Sequence, residues 1–244
     1  MKKILAIGNS FSEDATRYIH RIAASAGEEC LVVNLYMGGC PLWYHAHNLR
    51  TNVAEFRYER NGEITQRLVS TAEAMAEEDW DVVTIQQASP LSGKKASFSP
   101  YGEELIAFAA EKLPGAKVYF HQTWAYADNS SHQDFIKYGF SRKQMYGEIV
   151  SASRAYAAEQ GIGLIPTGEV IETLRADPLF NTALGGTDLC RDGFHLSLTY
   201  GRFAAGVTWF AKLFGKKDFD YIPEGTDRAL CEVIKQTVYA TVKD

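Results

Sequence analysis

Lys3-Ile4-Leu5-Ala6-Ile7-Gly8-Asn9-Ser10-Phe11-Ser12 stands at the head of the chain. Its first five residues are a short aliphatic run, Gly-Asn-Ser makes a turn, and Ala15, Tyr18, Ile19, Ile22 and Ala26 then recur at helical spacing. The pattern is strand, loop, helix, with a serine at the junction. Gly27 stops the helix, and residues 30–35 form a second buried strand that runs into the turn cluster Tyr36-Met37-Gly38-Gly39-Cys40-Pro41. Residues 81–85 repeat the strand signature and end in Gln86-Gln87-Ala88-Ser89-Pro90; 117–121 supply a fourth strand and Leu164-Ile165 a fifth. Helical spacing is expected over 68–78, 100–113, 142–160, 198–214 and 226–242, and 123–140 reads as a long polar-aromatic loop.

Strands that are apolar on both faces and alternate with helices predict a five-stranded parallel sheet covered on each side, a three-layer α/β/α fold. In a flavodoxin-like strand order, 2-1-3-4-5, ligands bind beyond the carboxyl ends where the order switches. Ser10, Gly39 and Gln86, which follow strands 1, 2 and 3, would then share one crevice. Residues 56–60, Asn61-Gly62 and 63–66 carry a two-residue hairpin signal. They are expected as a ribbon inserted near 56–67 into a single domain spanning 1–244.

With 46% hydrophobic and 23% charged residues, the 244-residue chain can bury a core, which excludes disorder and coiled coil. Its 25 Lys+Arg against 30 Asp+Glu leave a net charge of -5, without the basic excess of a nucleic-acid binder. The apolar stretch after Lys2-Lys3 is too short for an export signal, and no run approaches a membrane span, so a cytoplasmic location without a membrane partner is expected. Cys30, Cys40, Cys190 and Cys231 are scattered and expected to be reduced thiols. His45 and His47 lack a third ligand at telling spacing, so no metal site is expected.

Two segments could carry chemistry. Ser10 sits where a strand's carboxyl end meets a helix N-terminus, near backbone N–H groups able to face an oxyanion, although Ser10 with Glu13 also fits a capping box. Asp192-Gly193-Phe194-His195 places a carboxylate three residues before an imidazole, close enough to fix its tautomer; the same residues could simply cap a turn and fill a slot.

Together these segments resemble the SGNH, or GDSL-like, hydrolases. Gly8-Asn9-Ser10 is similar to the G-D-S turn of the nucleophile, with Asn in place of Asp. Gly39 best matches the glycine whose N–H contributes to the oxyanion hole, and Asp192 and His195 match the D-x-x-H block unaltered. Gly8 to Ser12, with Asp192 to Ser197 and Gly201-Arg202, resembles a bacterial branch of SGNH-like domains in particular. The third block departs: where most of the superfamily has G-x-N-D, this chain has Gln86-Gln87-Ala88-Ser89, as in the sialate O-acetylesterase-like branch, which also carries glutamine there. Gln86 ends the strand and is the better match, with Gln87 the alternative.

The resemblance implies a serine ester hydrolase, with a carbohydrate O-acetylesterase as one form, in which Ser10 attacks, His195 transfers protons, Asp192 orients, and Ser10, Gly39 and Gln86 hold the oxyanion. It implies no cofactor and a small-molecule or carbohydrate ester as substrate. Tyr36, Trp43 and Tyr44 after strand 2, and Trp124 and Tyr126 after strand 4, are the aromatic residues expected to stack on such a substrate. A catalytically silent carbohydrate-binding protein and a flavodoxin-like module holding phosphate or flavin at Ser10-Phe11-Ser12 are the alternatives.

Overall fold

The computed structural model describes residues 1–243 and forms, among these, seven strands and nine α-helices. In chain order the first half comprises β1 (Lys2–Ile7), α1 (Ser10–Thr16), α2 (Ile19–Ser25), β2 (Cys30–Tyr36), α3 (Leu42–Thr51), β3 (Phe56–Arg60), β4 (Glu63–Val69) and α4 (Thr71–Ala76). The second half comprises β5 (Val82–Ile85), α5 (Tyr101–Lys112), β6 (Lys117–His121), α6 (Arg142–Gln160), β7 (Gly163–Ile165), α7 (Thr167–Ala176), α8 (Tyr200–Phe214) and α9 (Arg228–Thr241).

All the strands lie in one sheet of order β4-β3-β2-β1-β5-β6-β7. β2, β1, β5, β6 and β7 pair in parallel and, taken alone, follow the order 2-1-3-4-5. The sheet as a whole is mixed rather than the five-stranded parallel one expected, because the hairpin joins it. Asn61 and Gly62 turn with φ of 54° and 80°, the left-handed pair that tightens a two-residue loop to match strand twist. β3 then pairs antiparallel with β2, from Val33 opposite Arg60 to Tyr36 opposite Arg57. What the sequence suggested as an inserted ribbon therefore extends the sheet past β2.

Both faces are buried, as alternation along β1 shows: Ile4 and Ala6 pack with α1, α2, α7, α8 and α9, whereas Leu5 and Ile7 pack with α3, α4 and α5. α6 contributes Met145 and Ile149 to the first layer and Ala152 and Tyr156 to the second. Local departures from expectation have local causes. Leu68 and Val69 belong to β4, so the helix expected over 68–78 shortens to α4. The expected first helix divides into α1 and α2, and α3 and α7 form where no helix was predicted. Among the described residues no helix is long and apolar enough to cross a membrane.

Candidate active site

The carboxyl edge of the sheet gathers the residues of interest. Gly8 follows β1 where a Cβ would lie 2.4 Å from Ser12 Oγ and 2.9 Å from Gln86 Cδ, so only glycine lets the turn pass. Asn9, not Ser10, caps α1: its Oδ1 accepts from Phe11 N–H at 3.0 Å, and Ser12 Oγ accepts from Asn9 N–H at 2.9 Å. The expected Ser10/Glu13 box is thus replaced by an Asn9/Ser12 box, which frees the Ser10 hydroxyl. It also engages the Phe11 and Ser12 N–H groups, two of those a phosphate at Ser10-Phe11-Ser12 would need.

Ser10 Oγ lies 2.9 Å from His195 Nε2, and His195 Nδ1 lies 2.7 Å from Asp192 Oδ2. The other Asp192 oxygen accepts from the backbone N–H groups of His195 (2.7 Å) and Phe194 (3.2 Å). With Nδ1 protonated and directed at the carboxylate, Nε2 is the acceptor of the serine proton. Burial, the largest single influence, pushes the Asp192 carboxyl up, but the His195 side chain and the two backbone donors together outweigh it and hold it below its ordinary value. Turn capping and imidazole orientation, posed as alternatives from sequence, are carried out by the same carboxylate.

The loop bearing Asp192 and His195 is closed on itself, Arg191 N–H to His195 O and Ser197 N–H to Leu189 O, and is held from outside as well. Trp124 Nε1 donates to Phe194 O at 2.7 Å, and Ala127 N–H donates to Gly193 O at 2.7 Å. Trp124 and Tyr126 are completely buried, Trp124 stacked 4.3 Å from Phe11 and Tyr126 bonded through its hydroxyl to Ser89, so neither ring faces a substrate as expected. Their apolar area goes into the core beneath the His195 loop instead. Trp43 is 46% exposed on α3, Tyr44 donates to Glu55, and Tyr36, half-buried, lies under the Arg57 guanidinium.

Gly39, at φ 66°, is exposed in the loop after β2, and its N–H has no acceptor among the described residues. Gln86 is buried; its Nε2 donates one hydrogen to Asn9 Oδ1 at 2.8 Å, and its Oε1 faces His121 Nδ1 at 2.6 Å. Gln87, the alternative from sequence, is committed elsewhere: its Oε1 accepts from Leu42 and Ala88 N–H groups, and its Nε2 donates to Ser97. His45 is buried with Nε2 donating to Gly8 O, whereas His47 is exposed. Among the described residues no three His, Cys, Asp or Glu side chains are grouped to hold a metal.

Sequence reasoning missed a chain of side chains along this edge. Thr167 hydroxyl faces His121 Nε2 at 3.1 Å, His121 Nδ1 faces Gln86, Gln86 donates to Asn9, and Asn9 Nδ2 donates to Cys40 O at 3.0 Å. Gln86 follows the last residue of β5 and His121 ends the adjacent parallel strand β6, a sequence signal that could have paired them. Burial holds the His121 imidazole neutral, its pKa lowered to about 3.

The comparisons agree with this fold. A family model described as a domain of unknown function, DUF4886, matches residues 3–241. A DUF4886 family protein from Bacteroides uniformis is 36% identical with a TM-score of 0.90, over 98% of this chain and 93% of that one. A lipase/acylhydrolase from Enterococcus faecalis is 16% identical with a TM-score of 0.53, over 91% of this chain and 100% of that one. An acetylxylan esterase from Geobacillus stearothermophilus, solved as a catalytic mutant, is 14% identical with a TM-score of 0.55, over 91% and 97%. No curated protein matches the chain. The chain belongs to the DUF4886 family and has the fold of the SGNH/GDSL hydrolases.

Proposed function

We propose that this chain is a serine ester hydrolase. The observation that carries the reading is the continuous hydrogen-bonded line from Ser10 Oγ through the His195 imidazole to the Asp192 carboxylate. Ser10 Oγ attacks the ester carbonyl carbon as its proton passes to His195 Nε2, giving a tetrahedral oxyanion. Collapse expels the alcohol, which takes the proton from Nε2. Water then repeats the sequence on the acyl-enzyme and releases the acid. Asp192 stabilises the imidazolium at each stage and stays ionised.

The oxyanion faces the free N–H groups of Ser10 and Gly39 and the second amide hydrogen of Gln86, the first being bonded to Asn9. None of these steps calls on a metal or cofactor. The likeness in fold to an acetylxylan esterase supports an acetylated carbohydrate as the substrate class, with Trp43 and Tyr36 as the ring surfaces available to it.

The test is fluorophosphonate labelling with mapping of the modified residue, alongside p-nitrophenyl acetate hydrolysis. Label on Ser10, with hydrolysis lost in Ser10→Ala and His195→Ala and unchanged by EDTA, is the expected result. Hydrolysis that survives Ser10→Ala but is abolished by EDTA overturns it.

A further inference from the structure

Asp14 is fully buried one helical turn after Ser10, on the same face of α1, and takes no part in the reaction proposed above. Its Oδ2 accepts the Leu196 backbone N–H at 2.9 Å. Arg202 Nε donates to Oδ1 at 2.7 Å, and Arg191 Nη1 reaches both oxygens, at 3.0 and 3.2 Å, while also donating to the Leu196 carbonyl. Arg191 immediately precedes Asp192, and Leu196 immediately follows His195. One carboxylate therefore grips both ends of the segment that carries the acid and the base.

We infer that Asp14 is a positioning residue that sets the Ser10–His195 distance; the inference rests on the serine-hydrolase reading above. Other outside contacts to this loop come from the segment after β6, through Trp124 and Ala127, and from Arg175 of α7, which donates to Cys190 Sγ at 3.1 Å. Asp14 is the buried carboxylate that ties it to the helix bearing the nucleophile, beside the Ser10–His195 bond itself. Ser10 and Asp14 belong to one hydrogen-bonded turn, so the clamp fixes the imidazole relative to the hydroxyl itself rather than to the sheet. A buried carboxylate is tolerated only when paired and hydrogen-bonded, and here every partner belongs to the His195 loop or to Arg202 in α8.

The experiment uses Asp14→Asn, which keeps an oxygen for Leu196 N–H, and Arg202→Gln, which removes one contact and leaves the carboxylate. In folded Asp14→Asn, kcat on p-nitrophenyl acetate should fall about 30- to 100-fold with KM within about threefold, the size expected when reacting groups move by roughly an ångström. Arg202→Gln should show a smaller loss of the same kind. A crystal structure of Asp14→Asn should find Ser10 Oγ and His195 Nε2 separated beyond about 3.5 Å, outside hydrogen-bond reach. Lowered thermal stability with kcat unchanged, or a distance still at 2.9 Å, overturns the inference. The crystallographic arm decides even where wild-type protein neither hydrolyses the ester nor takes up label, an outcome that would instead defeat the hydrolase reading.

Discussion

Gln86 Nε2 donates to Asn9 Oδ1 at 2.8 Å, so the glutamine that follows β5 is bonded to the cap of the helix that begins with Ser10. It steadies the serine turn, and under the proposed mechanism it also offers its remaining hydrogen to the oxyanion. Gln86→Ala should lower kcat by about 10²- to 10³-fold with little change in KM. Gln86→Glu should be at least as damaging, since it places a negative charge beside the oxyanion. Steady-state kinetics on p-nitrophenyl acetate check both.

Gln87 behaves differently. Its amide joins the first N–H of α3 to the loop at Ser97. Gln87→Ala should cost about 2–4 kcal/mol by leaving buried donors unpaired. Denaturant unfolding measures this, and the residual folded enzyme should keep near-normal kcat.

Asp192→Asn retains an oxygen for the two backbone donors but no longer stabilises the imidazolium. Its kcat should fall on the order of 10³-fold with the melting temperature almost unchanged. Asp192→Ala should lose comparable activity and a further ~1 kcal/mol of stability, the usual worth of a side-chain cap. Thermal melts of the two variants side by side separate the capping role from the orienting one.

Two buried histidines set a pH dependence of stability. Burial lowers His45 to about 4 and His121 to about 3, from an ordinary value of 6.5. As pH falls below about 6.5 the unfolded chain takes up protons that the folded chain refuses, so stability declines with acid, by up to ~1.4 kcal/mol per pH unit for each histidine. The effect of each ends at its folded pKa. Urea midpoints between pH 7 and 4.5 should fall accordingly, and His45→Asn should flatten the slope by about one proton's worth.

Trp124 and Trp43 should separate cleanly. Trp124→Ala should cost about 3–5 kcal/mol, as a buried aromatic that also holds Phe194 O. Trp43→Ala should change stability by less than about 0.5 kcal/mol and act only on KM for a bulky ester. Unfolding curves and KM for an acetylated oligosaccharide test the contrast.

The alternation of aliphatic runs with helical periods made the parallel core legible, because strands buried on both faces leave an unmistakable apolar signature, while its strand order came from the flavodoxin-like analogy. α3 was hidden because Trp43, Tyr44, His45 and Asn48 are weak helix formers. Its first N–H is satisfied by Gln87, 45 residues away, and Asn48 is bonded to Glu55 and Thr71. α7 was hidden because it opens after Pro166 without a side-chain cap, and its Gly168, which reads as a breaker, sits against the Thr123 carbonyl where a Cβ would be 2.2 Å away. The Asp192–His195 contact was legible from short-range spacing, whereas the pairing of Ser10 with His195, 185 residues apart, came from the resemblance. Asp14 and His121 were not legible, since each is defined by partners far off in the chain. Trp124 and Tyr126 were misplaced because an aromatic residue after a strand looks the same in sequence whether its ring faces solvent or core.

The chain from Thr167 through His121, Gln86 and Asn9 to Cys40 visits positions at or up to four residues beyond the ends of β7, β6, β5, β1 and β2, in the order in which those strands lie in the sheet. Strands buried on both faces have no polar side to tell one alignment from the next, and sliding such a strand by a residue exchanges one apolar surface for another. The polar chain removes that degeneracy. A slip of one residue at any of these strands would withdraw its member from the chain and strand a buried amide, hydroxyl or imidazole, at a cost of about 1–3 kcal/mol for each group left alone. The row of side chains that steadies the serine turn is thus also the alignment key of the sheet, and the correct stacking of five strands is verified at the one edge where the chemistry is proposed to occur.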